Sequence, residues 1–247
     1  EKALREAENK DYVIIYAGLP DKVEAEGYDR DDIQLPIEQN KLIKELAAVN
    51  PNIIVILNNG SAVDLTMWID RVSAVIEAGL PGQAGALALA DIIAGEINPS
   101  AKLTESYPLK LEDNPSYLDF PGSGGSVSYG EGIYIGYRYY DKKKMEVLFP
   151  FGYGLSYTEF SYRALEAPDY LAEGEKLKLK VLLENTGQYK GQEIVQLYLS
   201  QNNPSLERPP KELKGFGKIE LEAGEKKWLQ LELDYKDLAY YHPKAGW

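Results

Sequence analysis

Six ionisable side chains fall within nine positions of the segment 19–35: Glu24, Glu26, Asp29, Arg30, Asp31 and Asp32. A carboxyl group in such a loop can give up and recover a proton as a general acid/base. Gly27 beside Glu26 lets the backbone approach a ligand closely. The competing reading is a solvated acidic loop in which Arg30 neutralises its neighbours, and the pattern alone favours that one. Three other features carry weaker signals. Pro81-Gly82-Gln83-Ala84-Gly85-Ala86 opens a helix whose N-terminus could cradle a phosphate. It lacks the Lys-Ser/Thr of a P-loop and departs from G-x-G-x-x-G, so close helix-to-sheet packing is the better account. The aromatic cluster from Tyr129 to Tyr157, with Phe149, Phe151 and Tyr153, offers faces for sugars but serves equally as packing material between domains. His242, alone beside Pro243, reads as an ordinary surface residue.

Composition removes most other chemistries. Among 247 residues there is no cysteine and a single histidine, so disulfides, thiolate catalysis, Cys-based zinc sites and multi-histidine cages have nothing to be built from. No metal or organic cofactor is implied. A net charge of −12 argues against a nucleic-acid binder. No apolar run approaches the roughly 20 residues of a membrane helix. The absence of cysteine leans toward a cytoplasmic location, and a homo-oligomer is compatible with the sequence. The chain opens at Glu1 in a charged, helix-like stretch without an initiator methionine, so both ends read as possible cuts.

Charge and aromatic content divide the chain. Residues 1–120 hold 10 basic and 21 acidic side chains, whereas 121–247 hold 17 and 18; 14 of the 19 tyrosines lie in the second part. The first part alternates apolar β-prone runs at 12–16, 53–57 and 73–76 with helical patterns at 37–49 and 83–94. Leu42, Ile43, Leu46 and Ala47 share a face of the first helix, and Leu87, Ala88 and Ile92 are spaced to pack on a sheet. Runs apolar on both faces suit buried parallel strands, and the order predicts a layered, open α/β sheet. Such sheets hold ligands at the carboxyl ends of their strands, which is where the 19–35 loop stands. The second part switches to period 2: lysines at 176, 178 and 180 alternate with Leu177, Leu179 and Val181. Val195, Leu197 and Leu199, then Leu229, Leu231 and Leu233, repeat the alternation. Turn signals at Asn185-Thr186-Gly187, Asn203-Pro204 and Ala223-Gly224 separate these runs, predicting an antiparallel β-sandwich of immunoglobulin-like size. The expected division is an α/β domain over 1–107, truncated at its start, an aromatic-rich strap over 108–156, and a β-sandwich over 157–247 that lacks its last strand. The strap's tyrosines imply that it packs rather than dangles.

Read in order, the motifs are distinctive. Glu24-Ala25-Glu26-Gly27-Tyr28-Asp29-Arg30 leads to Leu35-Pro36 and Gln39, then Asn50-Pro51, Pro81-Gly82-Gln83 and Asn98-Pro99-Ser100-Ala101-Lys102-Leu103. Tyr129-Gly130-Glu131-Gly132, Gly136-Tyr137-Arg138-Tyr139-Tyr140-Asp141 and Phe149-Pro150-Phe151-Gly152-Tyr153-Gly154-Leu155-Ser156-Tyr157 follow. From about residue 11 onward this resembles the C-terminal half of a glycoside hydrolase family 3 β-glucosidase. Ala101 and Ala86 stand where glycine is usual, both at packing positions. The resemblance implies an α/β sandwich followed by a fibronectin type III-like domain, with the nucleophilic aspartate brought by an N-terminal (β/α)8-type barrel domain or chain that lies outside these residues. It implies a general acid/base glutamate in the 24–27 loop; alignment on Gly-Tyr-Asp-Arg places that role on Glu26, with Glu24 as second choice. Retaining glycosidases need two carboxyl groups about 5–5.5 Å apart, one attacking the anomeric carbon and one protonating the leaving oxygen. The implied substrates are β-glucosides or cello-oligosaccharides, cleaved at terminal non-reducing glucosyl units, and the chain alone is expected to be inactive. Another exo-glycosidase of the family, such as a β-xylosidase, and a non-catalytic carbohydrate-binding or interaction module are the rival readings.

Overall fold

Val13–Gly18 forms the first strand (β1), Ile53–Asn58 the second (β2) and Ala74–Glu77 the third (β3) in a computed structural model that describes residues 1–27, 29–244 and 246. They pair in parallel in the order β1-β2-β3, with Gly18 opposite Asn58 and Leu57 opposite Glu77. Parallel pairing in this register aligns the three carboxyl ends along one edge of the sheet. The helices Lys2–Glu8 (α1) and Ile37–Val49 (α2) bury one face: Ile43 and Leu46 pack with Ile15, Ala17, Ile53, Val55 and Leu57. Two asparagines fasten this layer. Asn50 donates to the carbonyls of Ala7 and Lys10 at 2.8 and 2.7 Å, and Asn40 accepts the indole N–H of fully buried Trp68 at 2.8 Å. Buried amides with their partners in place hold a core in one arrangement.

Two sequence expectations need correction here. β1 is not apolar-buried on both faces; Tyr12, Ile14 and Tyr16 are exposed because α1 and α2 cover only the opposite side chains of a strand that alternates. The helix Gly85–Ala94 (α3) turns Gly85 and Leu89 inward, while Leu87 is 75 % exposed and Ala88 is exposed as well. The helix starts at Gly85 rather than Gln83, and its buried face follows from that start at a spacing of four.

The second unit is β-rich. Phe160–Glu166 (β4), Leu177–Asn185 (β5) and Lys226–Leu233 (β8) form one antiparallel sheet; Gly191–Leu199 (β6) and Glu212–Leu221 (β7) form the other. Leu179, Val181, Leu183, Val195, Ile219, Leu221 and Leu231 make its core. Lys176, just before β5, and Lys180 within it reach carboxylates on neighbouring strands, Glu232 at 2.6 Å and Glu166 at 2.7 Å. These pairs are about half exposed and add little stability.

Compact units interleave along the chain: residues 1–91, 103–131 and 145–151 form one, and 92–102, 132–144 and 152–247 the other. The 108–156 segment is thus shared between them, and it includes a helix, Tyr137–Lys143 (α4), that showed no periodicity in sequence. Among the described residues no helix is long and apolar enough to cross a membrane.

Candidate active site

The carboxyl ends of β1, β2 and β3 deliver three short segments to one edge of the sheet: the loop after Gly18, the turn at 59–61, and Glu77. Gln39 of α2 pins the loop's start, accepting from the Gly18 N–H at 2.9 Å and donating to the Gly18 carbonyl at 3.0 Å. A tight turn follows, with the N–H groups of Val23 and Glu24 both donating to the Pro20 carbonyl. Further on, the loop runs alongside the chain after β2. Gln34 bridges Asp64 in parallel, and its amide donates to the Asp64 carboxylate at 2.6 Å.

Glu24 and Glu26, two residues apart, have different surroundings. Both oxygens of Glu24 are occupied: Oε2 accepts the Gly60 N–H at 2.7 Å and Oε1 the Ser61 hydroxyl at 3.2 Å. Arg30 closes the group, with Nη1 at 2.8 Å from Ser61 Oγ and 3.8 Å from Glu24 Oε1. Gly60 lets the two chains come close, since a Cβ there would stand 3.1 Å from a Glu24 oxygen and the carboxylate would have to shift. Nε and Nη2 of Arg30 are buried with no partner among the described residues. Glu26 is exposed and has no hydrogen bond or ion pair among the described residues. Its carboxyl is free to exchange a proton with a group brought from outside. Tyr28, part of the same motif, lies outside the described residues.

Glu77 escaped the sequence reading. Tyr107 donates its hydroxyl to Glu77 Oε2 at 2.5 Å, and the Gly79 N–H donates to Oε1 at 2.8 Å. Burial pushes the Glu77 carboxyl above its usual range against the pull of these donors, and burial likewise pushes the Tyr107 phenol up. Buried Asn59 joins the pair to the Glu24 turn, its amide donating to Tyr107 Oη at 3.3 Å and to the Ser61 carbonyl at 3.0 Å. The available signal was positional: Glu77 is the last residue of a parallel strand, at the edge where such sheets bind ligands.

The remaining candidates resolve structurally. Gly85 packs onto Pro81 of its own segment, where a Cβ would come within 2.3 Å of the ring, a local contact in place of the expected helix-to-sheet packing. The aromatic cluster is dispersed: Phe149 meets Tyr107 edge-on at 6.3 Å, Tyr137 meets Tyr198 at 5.8 Å, and Tyr129 is 80 % exposed. His242 accepts the Lys244 N–H in a terminal turn. Among the described residues no group of three or more His, Asp and Glu side chains is arranged to hold a metal ion.

Residues 1–157 match the family model described as the glycosyl hydrolase family 3 C-terminal domain, and residues 193–247 match the fibronectin type III-like domain. Thermostable beta-glucosidase B of Acetivibrio thermocellus is 48 % identical over 242 residues, covering 98 % of this chain and 32 % of that protein. An exo-alpha-(1->6)-L-arabinopyranosidase of Bifidobacterium longum is 41 % identical over 243 residues, covering 98 % and 32 %. Among solved structures, the GH3 beta-glucosidase of Bifidobacterium adolescentis superposes with a TM-score of 0.93 at 39 % identity, covering 98 % of this chain and 36 % of its own. The beta-glucosidase of Kluyveromyces marxianus in complex with glucose gives 0.89 at 40 %, covering 96 % and 28 %. The chain thus spans about a third of the length of the curated relatives it matches.

Proposed function

Because the chain belongs to glycosyl hydrolase family 3, we propose that it is the acid/base-bearing part of a retaining β-glucosidase acting on terminal non-reducing β-D-glucosyl residues. Glu26 is the general acid/base. The nucleophilic aspartate belongs to an N-terminal (β/α)8-type barrel outside these residues. In the first step the aspartate attacks the anomeric carbon while Glu26 protonates the departing glycosidic oxygen. In the second, Glu26 as carboxylate takes a proton from water, which displaces the aspartate and returns the sugar with its configuration retained.

The observation that supports this reading is the contrast between the two glutamates. Glu24 already serves as acceptor with both oxygens, whereas the Glu26 carboxyl is exposed and uncommitted. The sugar is less constrained than the mechanism. The B. longum relative is named for an arabinopyranoside, so a neighbouring exo-glycosidase specificity, β-xylosidase included, is the second reading.

Replacing Glu26 by Ala in the complete enzyme tests the assignment. kcat/KM for cellobiose should fall by about 10²–10⁴-fold, the range of general acid/base contributions. That for 2,4-dinitrophenyl β-glucoside should change little, because its leaving group needs no proton. Azide should restore turnover of the activated substrate and yield β-glucosyl azide. Equal losses on both substrates without azide product would remove Glu26 from the role.

A further inference from the structure

We infer that Glu24 is a positioning residue: together with Arg30 and Ser61 it forms a clamp that aims the Glu26 carboxyl. The inference rests on the assignment of Glu26 above. Glu26 lies two residues after Glu24 and four before Arg30, so it rides on a short loop whose two ends are Glu24 and Arg30. Both ends meet at one hydroxyl. Ser61 Oγ is 3.2 Å from Glu24 Oε1 and 2.8 Å from Arg30 Nη1. Arg30 Nη1 also reaches the Ala62 carbonyl at 3.4 Å, and Glu24 Oε2 takes the Gly60 N–H at 2.7 Å.

The anchor point follows closely on β2, whose Ile56 and Leu57 are fully buried, and the buried Asn59 amide braces it by donating to the Ser61 carbonyl at 3.0 Å. The side chains of Glu24 and Arg30 are 22 % and 14 % exposed, so these bonds are largely shielded from solvent. With Glu24 and Arg30 both held at the turn after β2, Glu26 between them keeps a direction without a bond of its own among the described residues. Proton transfer needs that direction, because an acid misplaced by about 1 Å loses on the order of 10²-fold in rate.

The clamp therefore acts on catalysis through the proton and not through the substrate's binding or the nucleophile. In the complete enzyme, Glu24→Ala should lower kcat/KM for cellobiose by about 10–100-fold. It should leave kcat/KM for 2,4-dinitrophenyl β-glucoside within about 3-fold, since that leaving group departs without an acid. Azide should give no rescue, because the Glu26 carboxylate still occupies the space the anion would need. Glu24→Gln keeps an oxygen for the Gly60 N–H and should recover most of the loss. Ser61→Ala, which removes the shared hydroxyl, should reproduce the leaving-group dependence in milder form and serves in place of Glu24→Ala if that variant fails to fold. Wild-type kinetics in these variants, or equal losses on both substrates, would overturn the clamp while leaving Glu26 in place. Azide rescue of Glu24→Ala, with none for Glu26→Ala, would instead transfer the acid/base role to Glu24 and overturn both readings.

Discussion

Glu77 shows how a half-buried carboxyl can couple to pH. Its hydrogen bonds from Tyr107 and the Gly79 N–H favour the ionised form, yet burial outweighs them and its folded value lies above the ordinary 4.5. A raised carboxyl binds its proton more tightly in the folded state than in the unfolded one. The resulting stabilisation is complete below the unfolded value and is lost as pH rises through the folded value. Glu77→Gln removes that titration while keeping an oxygen for the Tyr107 hydroxyl. The melting temperature of the variant relative to the parent should therefore move in the variant's favour between about pH 4 and about pH 8. Paired thermal scans across that range measure it, and a flat difference would show that Glu77 titrates as it does in the unfolded chain.

Secondary-structure elements are joined by a few saturated polar side chains. At the end of β5, fully buried Asn185 uses its whole hydrogen-bonding capacity. Oδ1 accepts from Thr158 Oγ1 at 2.7 Å and the Gly187 N–H at 3.1 Å; Nδ2 donates to the carbonyls of Tyr189 and Leu221 at 2.8 and 3.2 Å. Asn185→Ala leaves several of these groups unpaired in a dry site and should cost about 3 kcal/mol, read as a lower urea midpoint for the β-rich unit. By contrast Lys180→Ala, which removes the exposed pair with Glu166 and the contact of Lys180 Nζ with the Trp228 ring at 5.2 Å, should lower stability by no more than about 1 kcal/mol. Asn185-Thr186-Gly187 was visible in sequence as a turn. That its asparagine also ties together β5 and β7 was not, because Leu221 lies 36 residues away.

For the whole molecule, the division of labour proposed above predicts that the purified 247-residue chain turns over no aryl β-glucoside, since no nucleophile meets the anomeric carbon. Activity of the isolated chain that is abolished in Glu26→Gln would place the nucleophile within these residues. The interleaving of units also bears on the 108–156 segment. Tyr107 is bonded through its backbone to residues 148 and 149 within the first unit, the Leu148 N–H donating to the Tyr107 carbonyl and the Tyr107 N–H to the Phe149 carbonyl, both at 2.8 Å. The Tyr137 hydroxyl accepts the Leu213 N–H at 2.8 Å within the second. Hydrogen exchange should accordingly be slow at Tyr107, Leu148 and Leu213, and fast in the exposed Gly122–Gly125 stretch. Uniformly rapid exchange at all of these positions would mean that the segment is loosely held.

The sequence by itself determined the type of most elements, though not the helix α4, whose segment carries no periodicity. Period 2 in β5 and β8, the long apolar run of β2 and the start of α2 after Pro36 are local patterns, and local patterns encode the side chains' need for a buried face. Ordered motifs, through resemblance, pointed to the 24–27 loop as the place to look for the proposed acid/base. Only the tertiary structure decided which glutamate is committed and which is free. That depends on Gly60, Ser61 and Arg30, whose meeting is set by the parallel pairing of β1 with β2 and not by any spacing along the chain. The same holds for Glu77 and Tyr107, which are 30 residues apart and joined by one hydrogen bond. It holds also for the exposed face of β1, which looked buried because its apolar run is continuous, although the helices cover one side alone. A pattern along the chain records that a residue needs a partner; the fold supplies which one.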